Sequence, residues 1–306
     1  MHTLTPLPIL LSLLLSTPSA LAWGVLGHAT IATIAQNYLT PTAQTYVSSI
    51  LGQGITMASI ASWADQYRET RAGRFSEPFH FIDAHDSPPT NCSISLSRDC
   101  GTKGCVVSAI SNYTSRIQDP SLPSTERTAA LKFLIHFLGD ITQPLHDEAF
   151  EVGGNDISVT WDGEETNLHA CWDTKMVEKL AGGENSSSVL EAFAGGLIGE
   201  IDNGTYSSEK DSWISCVDVS PASGVKGCAV EWATDANALN CVYVLVGDES
   251  GVELDGAYYE GAREYLGEQI AKGGYRLGAF LNGLAAAAAE GGKGELEKVV
   301  VQEVSE

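Results

Sequence analysis

The sequence predicts a mainly helical, all-α domain that contains one short β-hairpin. Apolar residues recur at helical spacing through most of the 306 residues, and Pro, Gly and Asn interrupt them at intervals. One stretch, residues 157–161, follows the turn-forming pair Gly153-Gly154 and has the β-branched pattern of a strand. No Pro- or Ser-rich linker divides the chain, which favours a single domain.

The first 22 residues have the features of a secretory signal peptide. An apolar run, residues 7–15, precedes the small-residue cleavage site at residues 20–22 and is too short to cross a bilayer. Cleavage there makes Trp23 the N-terminus of a secreted, extracellular protein without a membrane anchor. We expect residues 23–290 to form the domain and the protein to be a monomer. Residues 291–306 carry scattered charges and no aromatic residue, so we expect them to be a disordered acidic tail.

The N-terminal half of the domain is predicted to hold five helices. Apolar spacing marks four of them, at residues 25–38, 57–66, 106–117 and 129–140. Thr40 and Pro41 are typical of the N-cap and first position of another helix. The helix at 129–140 is apolar almost all round, so we expect it to be buried. Pro, Asn, Asp and Gly between residues 77 and 105 indicate a long ordered loop.

Four more helices are predicted after the hairpin, at residues 168–180, 187–201, 230–246 and 256–289. Thr166 or Asn167 would cap the first of these at its N-terminus, and Gly182-Gly183 would end it. The predicted fold is therefore a set of packed helices joined by loops.

Seven cysteines fit an exported protein with two or three disulfides and one unpaired thiol. Their spacing allows two short disulfide loops, Cys100–Cys105 and Cys216–Cys228. Cys92 and Cys241 are then left for a long-range bridge, and Cys171 is left as the free thiol. Four N-x-Ser/Thr sequons are candidate glycosylation sites: Asn91, Asn112, Asn185 and Asn203.

The formal net charge of −22 argues against a surface that binds polyanions nonspecifically. It does not exclude phosphate chemistry. Divalent cations bound in one cleft would be the largest local charges and would reverse the field there.

Two His/Asp pairs at a spacing of four residues carry the strongest chemical signal. His136 and Asp140 lie on one predicted helix, and His169 and Asp173 lie on another, so each pair projects from one helix face. A single pair of this kind is common as a hydrogen-bonded surface pair. Two pairs on apolar helices favour a shared divalent cation, because a buried Asp is costly unless it is paired or bound to metal.

Trp23 offers a further ligand once the leader is removed. An α-amine and its own carbonyl oxygen can chelate one metal ion, and His28, five residues on, can supply an imidazole to the same ion. The alternative interpretation is an ordinary tryptophan after a leader. His80 lies between aromatic residues, and His146 follows a proline turn, whereas His85 is expected to be a solvated loop residue.

Six motifs occur in order: Trp23-Gly24-x-x-Gly27-His28, Trp63-Ala64-Asp65, His80-Phe81-Ile82-Asp83, His136-Phe137-x-Gly139-Asp140, Thr142-Gln143-Pro144-Leu145-His146-Asp147 and Asn167-Leu168-His169-x-x-Trp172-Asp173. Together they closely resemble the fungal zinc-dependent single-strand nucleases, the S1/P1 family, which are distant relatives of bacterial zinc phospholipase C. The likeness runs through Arg276-Leu277 and leaves out only the acidic tail. It implies a phospholipase C/P1 nuclease-like all-α fold.

The resemblance also implies three Zn²⁺ ions held by nine residues. The first ion would be held by Asp65, His80, His136 and Asp140. The second would be held by His146, His169 and Asp173. The third would be held by Trp23, through its amine and carbonyl, His28 and again Asp140, which would bridge the first and third ions.

The activity that the resemblance implies is hydrolysis of single-stranded DNA and RNA to 5′-phosphate products, with 3′-nucleotidase activity, by attack of a metal-bound hydroxide on phosphorus. Asp65, Arg68 and Asp140 would be catalytic, with Arg68 contacting the phosphate. A plain surface arginine is the alternative for Arg68.

A base pocket is implied as well, formed by Phe81, Asp83, Val152 and Asn155. Phe81 would stack a base and Asp83 would accept hydrogen bonds from its edge, which requires an unpaired base. A core role for Phe81 and a loop-capping role for Asp83 are the alternatives.

Two positions, Glu164 and Cys171, depart from the family pattern. Some relatives carry a stacking tyrosine where this chain has Glu164, which puts a second base-binding subsite in doubt. Cys171 stands between His169 and Asp173 but points to nearly the opposite helix face, so we interpret it as a small buried apolar residue rather than a ligand.

Two other functions use the same metal frame. A phospholipase C-like lipid phosphodiesterase would favour an apolar rim and a basic or aromatic membrane-facing surface. A non-catalytic zinc-binding secreted protein would be expected to have lost an open-site ligand or Arg68, and the sequence keeps all of them.

Overall fold

The computed structural model describes the backbone of residues 23–220 and 222–303, and in this part of the chain it is all-α apart from one hairpin. The predicted leader, residues 1–22, lies outside the described residues, as do the last three residues of the predicted tail. The helices are α1 Val25–Asn37, α2 Pro41–Leu51, α3 Met57–Ile60, α4 Trp63–Arg68, α5 Leu96–Asp99, α6 Val106–Gln118, α7 Ser124–Asp140, α8 Leu168–Ala170, α9 Met176–Ala181, α10 Ser187–Asp202, α11 Ala222–Leu239 and α12 Ala257–Glu303.

Shorter turns complete the described backbone. Three 3₁₀ segments span Arg74–His80, Pro144–Asp147 and Ser212–Ile214, and two π-helical turns span Cys171–Lys175 and Asn240–Val244. The predicted hairpin is confirmed: β1 (Ser158–Trp161) pairs antiparallel with β2 (Glu164–Asn167). Asp162 and Gly163 connect the strands with φ values of 52° and 75°, as a two-residue hairpin turn requires.

Helix α7 is the buried centre of the fold. Most of its residues from Ala130 to Asp140 are buried, and it contacts α2, α4, α6 and α12. Tyr113 of α6 stacks on Phe133, with ring centroids 4.4 Å apart, and Phe133 stacks on Phe137 at 5.2 Å. This apolar surround holds one face of α7 rigid, and the same helix carries His136 and Asp140.

Helix α1 lies directly against α12, and glycine makes the close approach possible. A Cβ atom at Gly274 would lie 2.5 Å from the Cβ of Ile34, and one at Gly273 would lie 3.1 Å from Ile31. Real Cβ contacts are longer, so a larger residue would push the helices apart. The N-terminal helix is therefore fixed against the longest helix of the chain.

The predicted helix starts and caps are largely confirmed. Thr40 Oγ1 accepts a hydrogen bond from the backbone N–H of Ala43, 3.2 Å away, and Asn167 Oδ1 accepts one from that of Ala170, 2.7 Å away. Gly182 ends α9 in the left-handed conformation, with φ 82°. Asn167, rather than Thr166, is thus the cap of the 168–180 segment.

The structure differs from the prediction in several segments. The predicted helix at 168–180 is interrupted by the π-helical turn Cys171–Lys175, and the helix predicted from residue 230 begins at Ala222. The 57–66 helix is two helices, α3 and α4, with a break that turns the Ala61 carbonyl toward His136. The loop predicted at 77–105 contains the end of a 3₁₀ segment and α5. Helix α12 extends to Glu303, and the disorder of residues 291–306 stays a prediction.

The three predicted disulfides are present, and the predicted free thiol is free and buried: Cys92–Cys241, Cys100–Cys105, Cys216–Cys228 and Cys171. Burial raises the pKa of the Cys171 thiol to about 12, as expected of an inert apolar residue. Among the described helices, none combines the length and apolar character needed to span a membrane.

Candidate metal centre

The fold brings eight predicted side-chain ligands together from seven helical elements. All eight are buried, and they form three groups whose ligand atoms lie close enough to share a metal ion: His28/His136/Asp140, Asp65/His80/His136 and His146/His169/Asp173. Helix α7 contributes to two of the three groups. The structure thus assembles a multi-metal candidate centre.

Asp65, His80 and His136, together with Asp140, have spacings expected of ligands that share one cation. His80 Nδ1 lies 3.0 Å from His136 Nε2 and 3.0 Å from Asp140 Oδ2, and His136 Nε2 lies 3.2 Å from the same oxygen. Asp65 Oδ1 lies 3.6 Å from His80 Nδ1 and 3.5 Å from His136 Nε2. Four ligands at about 2.0–2.1 Å from one zinc ion would lie about 3.3 Å from each other. The five distances, from 3.0 to 3.6 Å, are close to this value.

Asp140 lies between the group that contains His80 and the group that contains His28. Its Oδ2 faces His80 and His136, while its Oδ1 lies 3.2 Å from His28 Nε2. The His28 ring stacks on the His136 ring with centroids 3.9 Å apart. The two oxygens of one carboxylate thus point to two neighbouring positions, which is the arrangement of a bridging ligand.

The third group has three protein ligands. His169 Nε2 lies 3.2 Å from His146 Nε2 and 3.2 Å from Asp173 Oδ2. Asp173 lies in the π-helical turn Cys171–Lys175, which widens the helix between it and His169. Three nitrogen and oxygen ligands leave a fourth position for water or substrate, as in catalytic zinc sites.

Backbone carbonyls orient three of the imidazoles. The Nδ1 atoms of His136, His146 and His169 lie 2.7, 2.8 and 2.6 Å from the carbonyl oxygens of Ala61, His80 and Gly153. Donation of the Nδ1 proton leaves the Nε2 lone pair free to face the centre. Tertiary packing therefore fixes the tautomer that ligation needs.

Glycines bring Trp23 and the turn that carries Asp173 close together. A Cβ at Gly24 would lie 2.8 Å from Thr174 Oγ1, and one at Gly27 would lie 2.8 Å from the Cβ of Trp23. The Trp23 indole is buried and donates to Thr142 Oγ1 at 2.9 Å, while its carbonyl accepts from the His28 N–H at 3.1 Å. Close packing thus explains why the Trp23-Gly24-x-x-Gly27-His28 motif has glycine at both positions.

The electrostatics of the groups suit a cation. Asp65 Oδ1 and Oδ2, His28 Nε2 and Asp140 Oδ1 are buried without hydrogen-bond partners. Burial alone would lower the pKa of His136, but Asp140 and Asp65 outweigh it and raise that pKa to about 10. Burial lowers the pKa of His80 to about 4. The carboxylates thus favour positive charge at this point, and His80 keeps its lone pair in mild acid.

A hollow of about 130 Å³ opens beside the third group. Arg68, His146 and His169 line it together with all four predicted base-pocket residues, Phe81, Asp83, Val152 and Asn155. Arg68 Nη2 lies 3.4 Å from Asp65 Oδ1. Partial burial raises the pKa of Asp83. The predicted phosphate and base contacts therefore share one cavity with two ligand histidines.

The backbone at the rim of this hollow is strained. Glu151 and Val152 have φ values of 47° and 57°, a conformation that is rare for a β-branched residue. A Cβ at Gly153 would lie 2.6 Å from the Leu145 carbonyl oxygen, so the turn needs glycine there. The strained turn exposes Val152, and its Gly153 carbonyl contacts His169.

The other predicted residues lie away from the ligand groups. Glu164 is exposed on β2, and His85 is exposed in its loop. The side chains of the four sequon asparagines, Asn91, Asn112, Asn185 and Asn203, are all exposed. Cys171 is buried in the same turn as Asp173 but is not part of the metal-ligating groups.

Sequence reasoning missed three residues next to the ligands. Gln143 Nε2 donates to Asp173 Oδ1 at 2.6 Å, which leaves Oδ2 to face His169. Asp147 is fully buried, and burial raises its pKa well above the usual range. Burial also raises the pKa of Glu148 to about 7. All three lie in or beside the Thr142–Asp147 motif, where their spacing to His146 was the available signal.

Comparison with known proteins agrees with this geometry. The S1/P1 Nuclease family matches residues 23–286. Nuclease P1 from Penicillium citrinum is 48% identical over 265 residues, which are 85% of this chain and 97% of the relative. Nuclease S1 from Aspergillus oryzae is 46% identical over 282 residues, 90% of this chain and 96% of the relative, and Endonuclease 3 from Arabidopsis thaliana is 32% identical over 271 residues, 86% and 89% respectively. The chain belongs to the S1/P1 nuclease family.

Proposed function

We propose that the protein is a secreted nuclease that uses three Zn²⁺ ions to hydrolyse single-stranded DNA and RNA to 5′-phosphate products, and that it also removes the phosphate from 3′-nucleotides. The observation that carries this proposal is one cavity that joins ligand histidines, an arginine and an aromatic base pocket. Relatives named as nucleases match over nearly their whole length. The buried carboxylate oxygens of Asp65, Asp140 and Asp173 that lack hydrogen-bond partners favour bound cations.

The donor set supports zinc. Five imidazoles and three carboxylates with no thiolate suit Zn²⁺ in sites that keep positions open for substrate. We propose Asp65, His80, His136 and Asp140 for the first ion, His146, His169 and Asp173 for the second, and Trp23, His28 and Asp140 for the third. Bound zinc would polarise a phosphate oxygen and lower the pKa of a coordinated water to about 7.

The protein's own residues position the phosphate. Arg68 is fixed beside Asp65 and reaches the cavity that His146 and His169 line. A guanidinium there can donate to phosphate oxygens and stabilise the charge that develops on them in the transition state. Asp65 thus has two functions in this proposal, as metal ligand and as anchor for Arg68.

The base pocket supports a preference for single strands. Phe81 offers an aromatic face and Asp83 a carboxylate acceptor, and Asn155 Nδ2 is held by the Val152 carbonyl at 2.9 Å. The hollow is small and edged by the strained 151–153 turn, so a base must leave its stack and its partner to enter. Duplex substrates would need to open before they could be cut.

We further propose that residues 1–22 are removed on secretion, that the four exposed sequons carry glycans, and that the protein acts as a monomer. Three disulfides and the exposure of all four asparagines support the first two points. Removal of the leader has a chemical purpose here, because only a free amine at Trp23 can serve as a ligand.

A lipid phosphodiesterase is the second candidate. The exposed side chains of Phe150 and Val152 lie at the strained turn beside the pocket, and exposed apolar residues at a rim suit a lipid substrate. The carboxylate of Asp83 and the net charge of −22 oppose binding to an anionic membrane surface. We therefore place nucleic acid first.

The test uses the mature protein, beginning at Trp23, with zinc supplied. We expect heat-denatured DNA to be cut at least about tenfold faster than the same DNA as duplex, with 5′-phosphate ends on the products. Phosphatidylcholine vesicles should not be hydrolysed. Equal rates on denatured and duplex DNA would refute the base-pocket proposal, and hydrolysis of the vesicles alone would favour the second candidate.

A further inference from the structure

Two more hollows adjoin the base pocket. Phe81 and Asp83, which line the pocket, also line a neighbouring hollow of about 270 Å³. That hollow in turn shares Lys103 and Gly104 with a cavity of about 700 Å³. The three hollows therefore adjoin in series from His146 and His169 to the large cavity, and we call this series the aromatic groove. The disulfide Cys100–Cys105 closes the loop that forms its middle wall.

Aromatic side chains line much of the large cavity. Five aromatic side chains line it: Tyr67, Phe75, Phe79, Tyr113 and Phe133. Phe75 is 56% exposed, more than Phe150, the other exposed phenylalanine in the described part of the chain. It packs edge-on against Phe79 and Tyr67, with centroids 6.0 and 6.4 Å apart. Phe75 therefore offers an accessible aromatic surface that its neighbours hold in place.

The charges along the groove also suit a nucleic acid. Lys103 is exposed and lines both the hollow of about 270 Å³ and the cavity of about 700 Å³. Within the described part of the chain it forms no ion pair. Two carboxylates that line these hollows are paired, Asp99 with Arg98 and Glu126 with Arg116, each at 2.5 Å, and the third, Asp83, is the proposed base-edge acceptor of the pocket. In a chain of net charge −22, an uncompensated lysine between two hollows is a favourable position for a phosphate.

We propose that the aromatic groove is a second nucleotide-binding site, in which Phe75 stacks a base of the strand that flanks the cleaved bond and Lys103 contacts the phosphate between the two sites. The proposal rests on the proposed nuclease function and extends it. Glu164 has no part in this groove, so the site is separate from the tyrosine subsite that the sequence lacks. Its ligand is a single strand of several nucleotides, because only an unpaired strand offers base faces to an aromatic wall.

The test compares a dinucleotide with an oligonucleotide of eight thymidines. The dinucleotide reaches only the base pocket, whereas the longer strand reaches the groove. We expect Phe75→Ala and Lys103→Ala each to lower kcat/KM for the octanucleotide about five- to tenfold, the range for loss of one stacking or phosphate contact, and to leave the dinucleotide within about twofold. Phe75→Trp, which keeps a stacking face, should restore the wild-type value.

Two controls sharpen the comparison. Lys226→Ala removes the same charge from an exposed position on α11 that lines none of the three hollows, so it should change neither substrate. Lys103→Ala should also reduce the slope of log KM against log salt by about 0.7 for the octanucleotide, as expected for one lost contact to a single strand. Asn112 lines the cavity, so the groove is open to a strand only in protein that carries no sugar at this sequon, and all proteins compared carry Asn112→Gln.

The outcomes separate this inference from the function on which it rests. If wild-type protein cuts both substrates and the groove variants keep the wild-type ratio between them, the groove inference is overturned and the nuclease proposal stands. If wild-type protein cuts neither substrate, the nuclease proposal itself fails. A lower octanucleotide rate in Phe75→Ala with recovery in Phe75→Trp supports the groove.

Discussion

The metal centre and the cluster around Arg276 both bury charge, but only the second balances it with side chains alone. Arg276 is 4% exposed, and its guanidinium contacts Asp235 at 2.8 Å. Lys272 contacts the same carboxylate at 3.0 Å and Glu268 at 2.9 Å. In the metal centre, carboxylate oxygens of Asp65, Asp140 and Asp173 are buried without hydrogen-bond partners. The Arg276 cluster pairs its charges within the protein, whereas the metal centre needs cations to balance its carboxylates.

The stability that each cluster contributes should depend differently on bound metal. A group that is balanced internally contributes to folding under all metal conditions. A group that is balanced by cations contributes only when they are bound, so its stability depends on their concentration. Substitution and chelation should therefore separate the two clusters.

Asp140→Asn should have the largest effect, because it replaces the carboxylate that faces both His28 and His80. We expect kcat to fall about a thousandfold and the metal content per chain to drop. The measurement is single-stranded DNA hydrolysis together with elemental analysis. Near-normal turnover would show that Asp140 does not bridge two ions.

Chelation should destabilise the wild-type protein strongly. Where free zinc was present at a thousand times its dissociation constant, removing it costs about 4 kcal/mol of unfolding free energy. Thermal unfolding with and without chelator measures this loss, and added zinc should reverse it. A melting temperature that is the same with and without chelator would contradict the proposal that bound cations balance the charge of this centre.

Asp235→Asn should lower the unfolding free energy by about 3 kcal/mol, because it leaves the buried guanidinium of Arg276 without its partner. The same loss is expected with and without chelator, and kcat should stay near the wild-type value. A chelator-dependent effect would mean that the two clusters are coupled.

The Asp235 contribution should also depend on pH. Burial would raise its pKa, but Arg276 and Lys272 outweigh burial and hold the pKa below its usual value. Its contribution to stability is therefore present above the ordinary Asp pKa and is lost as pH falls through the lowered value. In denaturant titrations, the gap between wild type and Asp235→Asn should close only in acid. A gap that stays constant to low pH would show that the ion pair is not its cause.

Phe81→Ala should have the smallest effect of these changes, because it removes base stacking and leaves the metal ligands in place. We expect KM for single-stranded DNA to rise about tenfold with kcat nearly unchanged. Steady-state kinetics measures both. A fall in kcat at constant KM would place Phe81 in the chemistry rather than in binding.

The sequence predicted the ligands because their signal is local. His136 with Asp140 and His169 with Asp173 repeat at helical spacing, and both pairs converge as expected. The carbonyls of Ala61, His80 and Gly153 could not be predicted, since any residue has a carbonyl and only tertiary packing aims it at an imidazole. The groove around Phe75 was missed for a similar reason, because its walls come from segments distant in sequence.

Zinc content of two otherwise identical proteins tests the central claim most directly. One begins at Trp23, and the other retains Ala22, which turns the Trp23 amine into an amide that cannot act as a ligand. We predict three zinc ions per chain in the first protein and two in the second, with loss of hydrolysis in the second. Three ions and full activity in the protein that retains Ala22 would contradict the account.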